Sequence, residues 1–129
     1  MSDTENTPEV LAGAEPMSHV AGSSTGVVVL HGFTGNPSSV RHLATAIAEA
    51  GYDVEMPRLP GHGTTVEDMM TTSWDDWFAT ALEATDAVAA RCDKVVVAGL
   101  SMGGLLTLRL ATQFSLKSQQ ESCLVKISQ

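Results

Sequence analysis

Basic, cysteine and aromatic side chains are all scarce in this chain. Seven Lys and Arg stand against fifteen Asp and Glu in 129 residues, with two Cys, two Trp, three Phe and one Tyr. The resulting net charge of −8 repels phosphate backbones and anionic lipid, so no nucleic-acid partner is expected. No apolar run approaches the roughly 18 residues of a membrane helix, so no stable membrane insertion is expected either. The first two dozen residues carry Asp3, Glu5, Glu9 and Glu15 with no Lys or Arg and no apolar h-region, which argues against a secretory signal. Cys92 and Cys123 show neither metal nor redox spacing and read as reduced thiols, so the expected compartment is cytoplasmic. What remains is 43% hydrophobic and 17% charged, enough to bury the core of one domain.

Residues 1–26 hold Pro8, Gly13, Pro16, Gly22 and the cluster Ser23-Ser24-Thr25-Gly26, the composition of an acidic flexible leader with a short strand around Glu15–Val20. Residues 27–112 alternate differently. Val27-Val28-Val29-Leu30 and Val95-Val96-Val97-Ala98 are β-branched runs of the kind that form strands buried on both faces. Between them, Val40, Leu43, Ala44 and Ile47 fall at helical spacing behind Ser38 and Ser39, which can cap that helix, and Gly51 ends it. Tyr52–Met56 reads as a strand. Ser73 and Asp76 open a helix whose stripe is Trp74, Trp77, Phe78, Ala81, Leu82, Thr85 and Val88. Strand, helix, strand, helix, strand, helix predicts an α/β fold, a parallel sheet with helices on both faces.

Two loops carry chemistry. Gly99-Leu100-Ser101-Met102-Gly103 follows a buried strand and opens an apolar helix, the setting in which G-x-S-x-G holds a nucleophilic serine on a sharp turn. His31-Gly32-Phe33-Thr34-Gly35 also follows a buried strand. Acyl transfer needs two backbone N–H groups aimed at the developing oxyanion. Met102, just after the serine, is expected to supply one, and Phe33 in the first loop the other. Trp74, Trp77 and Phe78 read as core rather than as a ligand cage, and Asp75 and Asp76 complement a helix dipole without needing a metal. Met69 and Met70 fit either the border of an acyl pocket or plain loop packing.

Gly26–Gly35, Pro57-Arg58-Leu59-Pro60-Gly61-His62-Gly63 and Gly99–Gly104 together resemble the α/β-hydrolase superfamily, and within it bacterial carboxylesterases and monoacylglycerol lipases. The resemblance covers about Gly13–Thr112. It implies Ser101 as nucleophile, Phe33 and Met102 as oxyanion donors, an acyl-enzyme mechanism, a small-molecule ester or acylglycerol substrate and no cofactor. An acyl thioesterase and a non-catalytic module on the same fold are the alternatives.

The chain departs from that family after the elbow. Members place a catalytic Asp or Glu and then a His after the serine. Here the 28 residues after Ser101 contain one Glu, Glu121, and neither Asp nor His. Of the earlier histidines, His31 is expected to brace its own loop, His62 to shape the floor of the site, His42 to face solvent and His19 to lie in the leader. The last 17 residues also differ in kind. They contain every Gln of the chain and two of its three Lys, whereas every Gly and Ala lies before them. Residues 113–129 therefore read either as an ordinary polar helical or frayed terminus or, the sharper reading, as a polar tail foreign to the fold, the product of a shifted frame or a cut gene, with the fold truncated after the elbow helix. On that reading Val95–Ala98 is expected to be an unpaired sheet edge and the chain prone to aggregate. No oligomeric state is legible.

Overall fold

The computed structural model describes residues 7–117 and 123–128, with side chains through Gln113. The strands are β1 (Met17–His19), β2 (Thr25–Leu30), β3 (Asp53–Met56), β4 (Lys94–Leu100) and β5 (Cys123–Ser128). The helices are α1 (Arg41–Glu49), α2 (Val66–Met70), α3 (Trp74–Arg91) and α4 (Met102–Lys117). The strands form one sheet in the order β1-β3-β2-β4-β5. Four of them run parallel, while β1 joins antiparallel at the edge, with Ser18 opposite Glu55. The expected parallel sheet is present, and the short strand expected around Glu15–Val20 adds an antiparallel edge to it. A loop of only five residues, 20–24, links β1 to β2, and β3 lies between those two strands.

Strand β2 is the centre, and its alternating side chains divide the core. Val28 and Leu30 face α3 and α4, packing with Trp77, Phe78, Ala81, Val88, Val97, Leu106 and Leu110. Val27 and Val29 face α1, with Val40, Ala44, Val54 and Met56. This two-sided burial explains the unbroken apolar run in β2.

The helix ends follow the sequence unevenly. The carboxylate of Asp76 accepts from the Ser73 N–H (2.9 Å) and from the Ser73 hydroxyl (3.1 Å), as the S-x-x-D spacing implies. Gly51 has φ 97°, the left-handed conformation expected after α1. Ser38 and Ser39 do not cap α1. They lie in a 3-10 turn, Pro37–Ser39, whose own cap is Asn36, accepting from the Ser38 N–H at 2.9 Å. Val40 then leads into α1 without a side-chain cap. Helix α2 had no counterpart in the sequence reading. Thr65 caps it, accepting from Asp68 N–H at 3.1 Å.

The unpaired edge is also corrected. Strand β5 pairs in parallel along β4 from Val95–Cys123 to Leu100–Ser128, so β4 has neighbours on both sides and the sheet continues past the elbow helix. Among the described residues, no helix is long and apolar enough to cross a membrane.

Candidate active site

The parallel strands β2 and β4 both end at the same edge of the sheet, and each gives way there to a tight turn. After β4, Ser101 adopts φ 55°, one of two non-glycine residues with positive φ among the described residues. Such a conformation costs of order 1–3 kcal/mol and persists only where the surroundings enforce it. They do so here. A Cβ on Gly99 would overlap the Gly103 carbonyl, and a Cβ on Gly103 would overlap the carbonyl of Leu30 and lie 2.7 Å from that of His31. Helix α4 starts at once, with Gly104 N–H donating to Ser101 O at 2.8 Å. Ser101 is exposed at the positive end of that helix, and Met102 occupies its first position, where N–H groups have no intrahelical acceptor.

The loop after β2 lies directly against this turn. A Cβ on Gly32 would stand 3.3 Å from Ser101 Cβ and 3.9 Å from its Oγ. Gly35 N–H closes the loop onto Gly32 O (3.1 Å), and Thr34 is the second residue at positive φ, 60°. Among the described residues, the Phe33 N–H has no hydrogen-bond partner. The Phe33 loop and the Ser101–Met102 turn thus lie against each other at one edge of the sheet, which their separate sequence positions could only imply.

His31 is fully buried and engaged through both ring nitrogens. Leu59 N–H donates to Nε2 (3.0 Å), so the proton sits on Nδ1 and is donated to Gly32 O (3.0 Å). Burial, helped by the nearby His62 and Arg58, pushes its pKa down to about 4, against the opposing pull of the Gly32 bond. The imidazole is neutral and fully used, and braces the loop as expected.

His62 is buried next to it, the two ring centroids 5.2 Å apart. Its Nδ1–H donates to Pro60 O (3.0 Å), while Nε2 is buried without a partner among the described residues. The half-exposed Phe33 ring meets His62 edge-on at 6.0 Å and Trp77 at 5.6 Å, and His62 meets Trp77 edge-on at 5.3 Å. Trp77 is core, as its stripe implied, but it also forms the base of this aromatic cluster. Nothing in its spacing signals that second role. Met70 is exposed, and His42 faces solvent. A groove of about 410 Å³ between β1, β3 and α3, lined among others by Met17, Glu55, Met56 and Ala84, shares no residue with the elbow. Among the described residues, no group of three or more His, Cys, Asp or Glu is placed to hold a metal ion.

Comparison with known proteins agrees with this geometry. Residues 27–126 match the model of the alpha/beta hydrolase family. The chain is 52% identical over 102 residues to a thermostable monoacylglycerol lipase of Bacillus sp. (strain H-257), a match covering 79% of this chain and 40% of the lipase. It is 31% identical over 103 residues to a carboxylesterase of Bacillus subtilis (strain 168), covering 79% of this chain and 42% of the esterase. A solved structure described with LipS and LipT, two metagenome-derived lipolytic enzymes, superposes with a TM-score of 0.80 at 50% identity, over 84% of this chain and 44% of that one. The chain spans about two fifths of the length of the curated relatives it matches.

Proposed function

The chain belongs to the alpha/beta hydrolase family, and we propose that it is the nucleophile-bearing part of a serine hydrolase acting on small carboxylic esters or acylglycerols. The observation that carries this reading is the meeting of the strained, exposed Ser101 with the loop of Phe33. Ser101 Oγ attacks the ester carbonyl, and the N–H groups of Phe33 and Met102 receive the oxyanion as it forms. Collapse of the tetrahedral intermediate expels the alcohol and leaves an acyl-Ser101 ester, which water then hydrolyses. The names of the monoacylglycerol lipase and the carboxylesterase support an ester substrate. No step in this scheme needs a cofactor.

Both transfers need a base. His31 cannot serve, because both its nitrogens are committed to backbone. The family's acid and histidine follow the serine in the chain, and residues 102–129 contain one acid, Glu121, and no His. These 129 residues are therefore expected to be nearly inactive by themselves, and that same feature favours, as a second reading, a binding module on the hydrolase fold.

The encoding DNA beyond the Thr112 codon, read in all three frames, separates the two. A second frame is expected to encode a Gly/Ala-rich continuation with an Asp and then a His. The chain rebuilt with it is expected to hydrolyse p-nitrophenyl butyrate, and Ser101→Ala to abolish that activity. Absence of such a frame, or activity that survives Ser101→Ala, would overturn the proposal.

A further inference from the structure

The oxyanion loop is short of anchors at the residue that matters. Phe33 N–H has no partner among the described residues, Phe33 is half-exposed, and the backbone beside it is held in the left-handed region at Thr34. What holds Phe33 is its ring, which rests on the rings of His62 and Trp77. His62 is well fixed for this task. Its N–H donates to Leu59 O (3.1 Å), its carbonyl accepts from Arg58 Nη1 (2.9 Å), and its Nδ1–H is held by Pro60 O. Among the described residues its Nε2 has no hydrogen-bond partner. The ring face and edge, not the second nitrogen, are what His62 offers its neighbours.

The two loops are joined reciprocally. His31, from the Phe33 loop, accepts from the backbone of Leu59 in the His62 loop. His62, from that second loop, packs against Phe33 in the first. We infer that His62 is a positioning residue for the oxyanion loop: held by Pro60, its ring supports the Phe33 ring and so fixes the direction of the Phe33 N–H. This rests on the proposed role of Phe33, but the packing can be tested without any ester.

The arrangement permits a clean substitution. Pro60 O also accepts from Trp77 Nε1 at 3.1 Å, so His62→Phe leaves that buried carbonyl paired and keeps an aromatic ring beneath Phe33. Amide ¹⁵N relaxation in the 129-residue chain is the measurement. In His62→Ala the order parameter of the Phe33 amide is expected to fall from roughly 0.85 to below about 0.6, while those of Val28 and Val97 in the sheet stay unchanged. His62→Phe is expected to restore it. Phe33→Leu, which removes only the supported ring, is expected to loosen the amide of residue 33 in the same way and decides the matter if His62→Ala fails to fold. A rigid residue 33 in His62→Ala or in Phe33→Leu would overturn the inference. So would a His62→Phe chain as loose as His62→Ala, since hydrogen bonding rather than ring packing would then hold the loop. None of these outcomes depends on hydrolysis, so failure of the esterase proposal remains separately visible.

Discussion

Ser101 and His31 show how single residues at this site are constrained by backbone around them. Ser101 is held at φ 55° because glycines flank it where any Cβ would strike a carbonyl. His31 is held neutral by burial and by the Leu59 N–H aimed at its Nε2. Its pKa of about 4 in the fold lies below the ordinary value near 6.5, so the unfolded chain binds the proton more readily. The stability this confers is complete above about pH 6.5, is lost as pH falls through the window down to about 4, and changes no further below that. The loss amounts to about 3 kcal/mol. Urea unfolding followed from pH 7 to pH 4 is expected to show this slope, and His31→Gln to flatten it. The residue identities at the elbow were legible because strand, Gly-x-Ser-x-Gly and helix are contiguous. The Leu59–His31 bond was not, since it joins positions 28 apart that only the parallel pairing of β2 and β3 brings together.

At the scale of elements, one buried carboxylate ties three of them together. Asp53, at the start of β3, accepts from Ala21 N–H (2.9 Å), Ser23 N–H (3.1 Å) and Arg91 Nε (2.8 Å), linking the β1–β2 loop to the end of α3. Arg91 also reaches Glu55 at 2.9 Å. The Arg91 guanidinium, followed by the Ser23 N–H, holds the Asp53 carboxyl well below the usual carboxylate range. Removing Arg91 leaves the Asp53 carboxylate without its counter-charge, so Arg91→Ala is expected to lower stability in denaturant unfolding. A change under about 0.5 kcal/mol would show that the backbone donors alone satisfy Asp53. Nothing in the sequence singled out Arg91. Its partners lie 36 and 38 residues earlier, and no periodicity reports a contact of that range. Strands β2 and β4 and helix α3 were legible for the opposite reason, because their burial is written locally, in unbroken β-branched runs and in a stripe at every third to fourth residue. Helix α2 is five residues long, too short for such a pattern, and only its Thr65 cap could have signalled it.

Across the whole molecule, the sheet extends from the antiparallel β1 at one edge to β5 at the other. The composition break at residue 113 led to the expectation of a bare β4, yet Cys123–Ser128 pairs along it. Strand pairing needs only backbone N–H and C=O groups in register, so a segment of altered composition can still supply it. Helix α4 meanwhile leaves Leu105 and Leu108 exposed. Deleting residues 118–129 would uncover the β4 edge as well. The shortened chain is expected to aggregate at micromolar concentration under conditions where the 129-residue chain sediments as a smaller species. Equal sedimentation of the two would show that β5 contributes nothing to protecting the edge.

At the centre of the proposed function, these residues supply the nucleophile and the oxyanion donors of an ester hydrolase and lack the base. Labelling of the 129-residue chain by a fluorophosphonate, with Ser101→Ala as control, tests it most directly. Without a base, the oxyanion donors and binding alone typically leave only about 10³–10⁴-fold of rate enhancement over water. The expected result is labelling barely above that of Ser101→Ala. Rapid labelling that disappears in Ser101→Ala would contradict the claim and would place a working base within these residues.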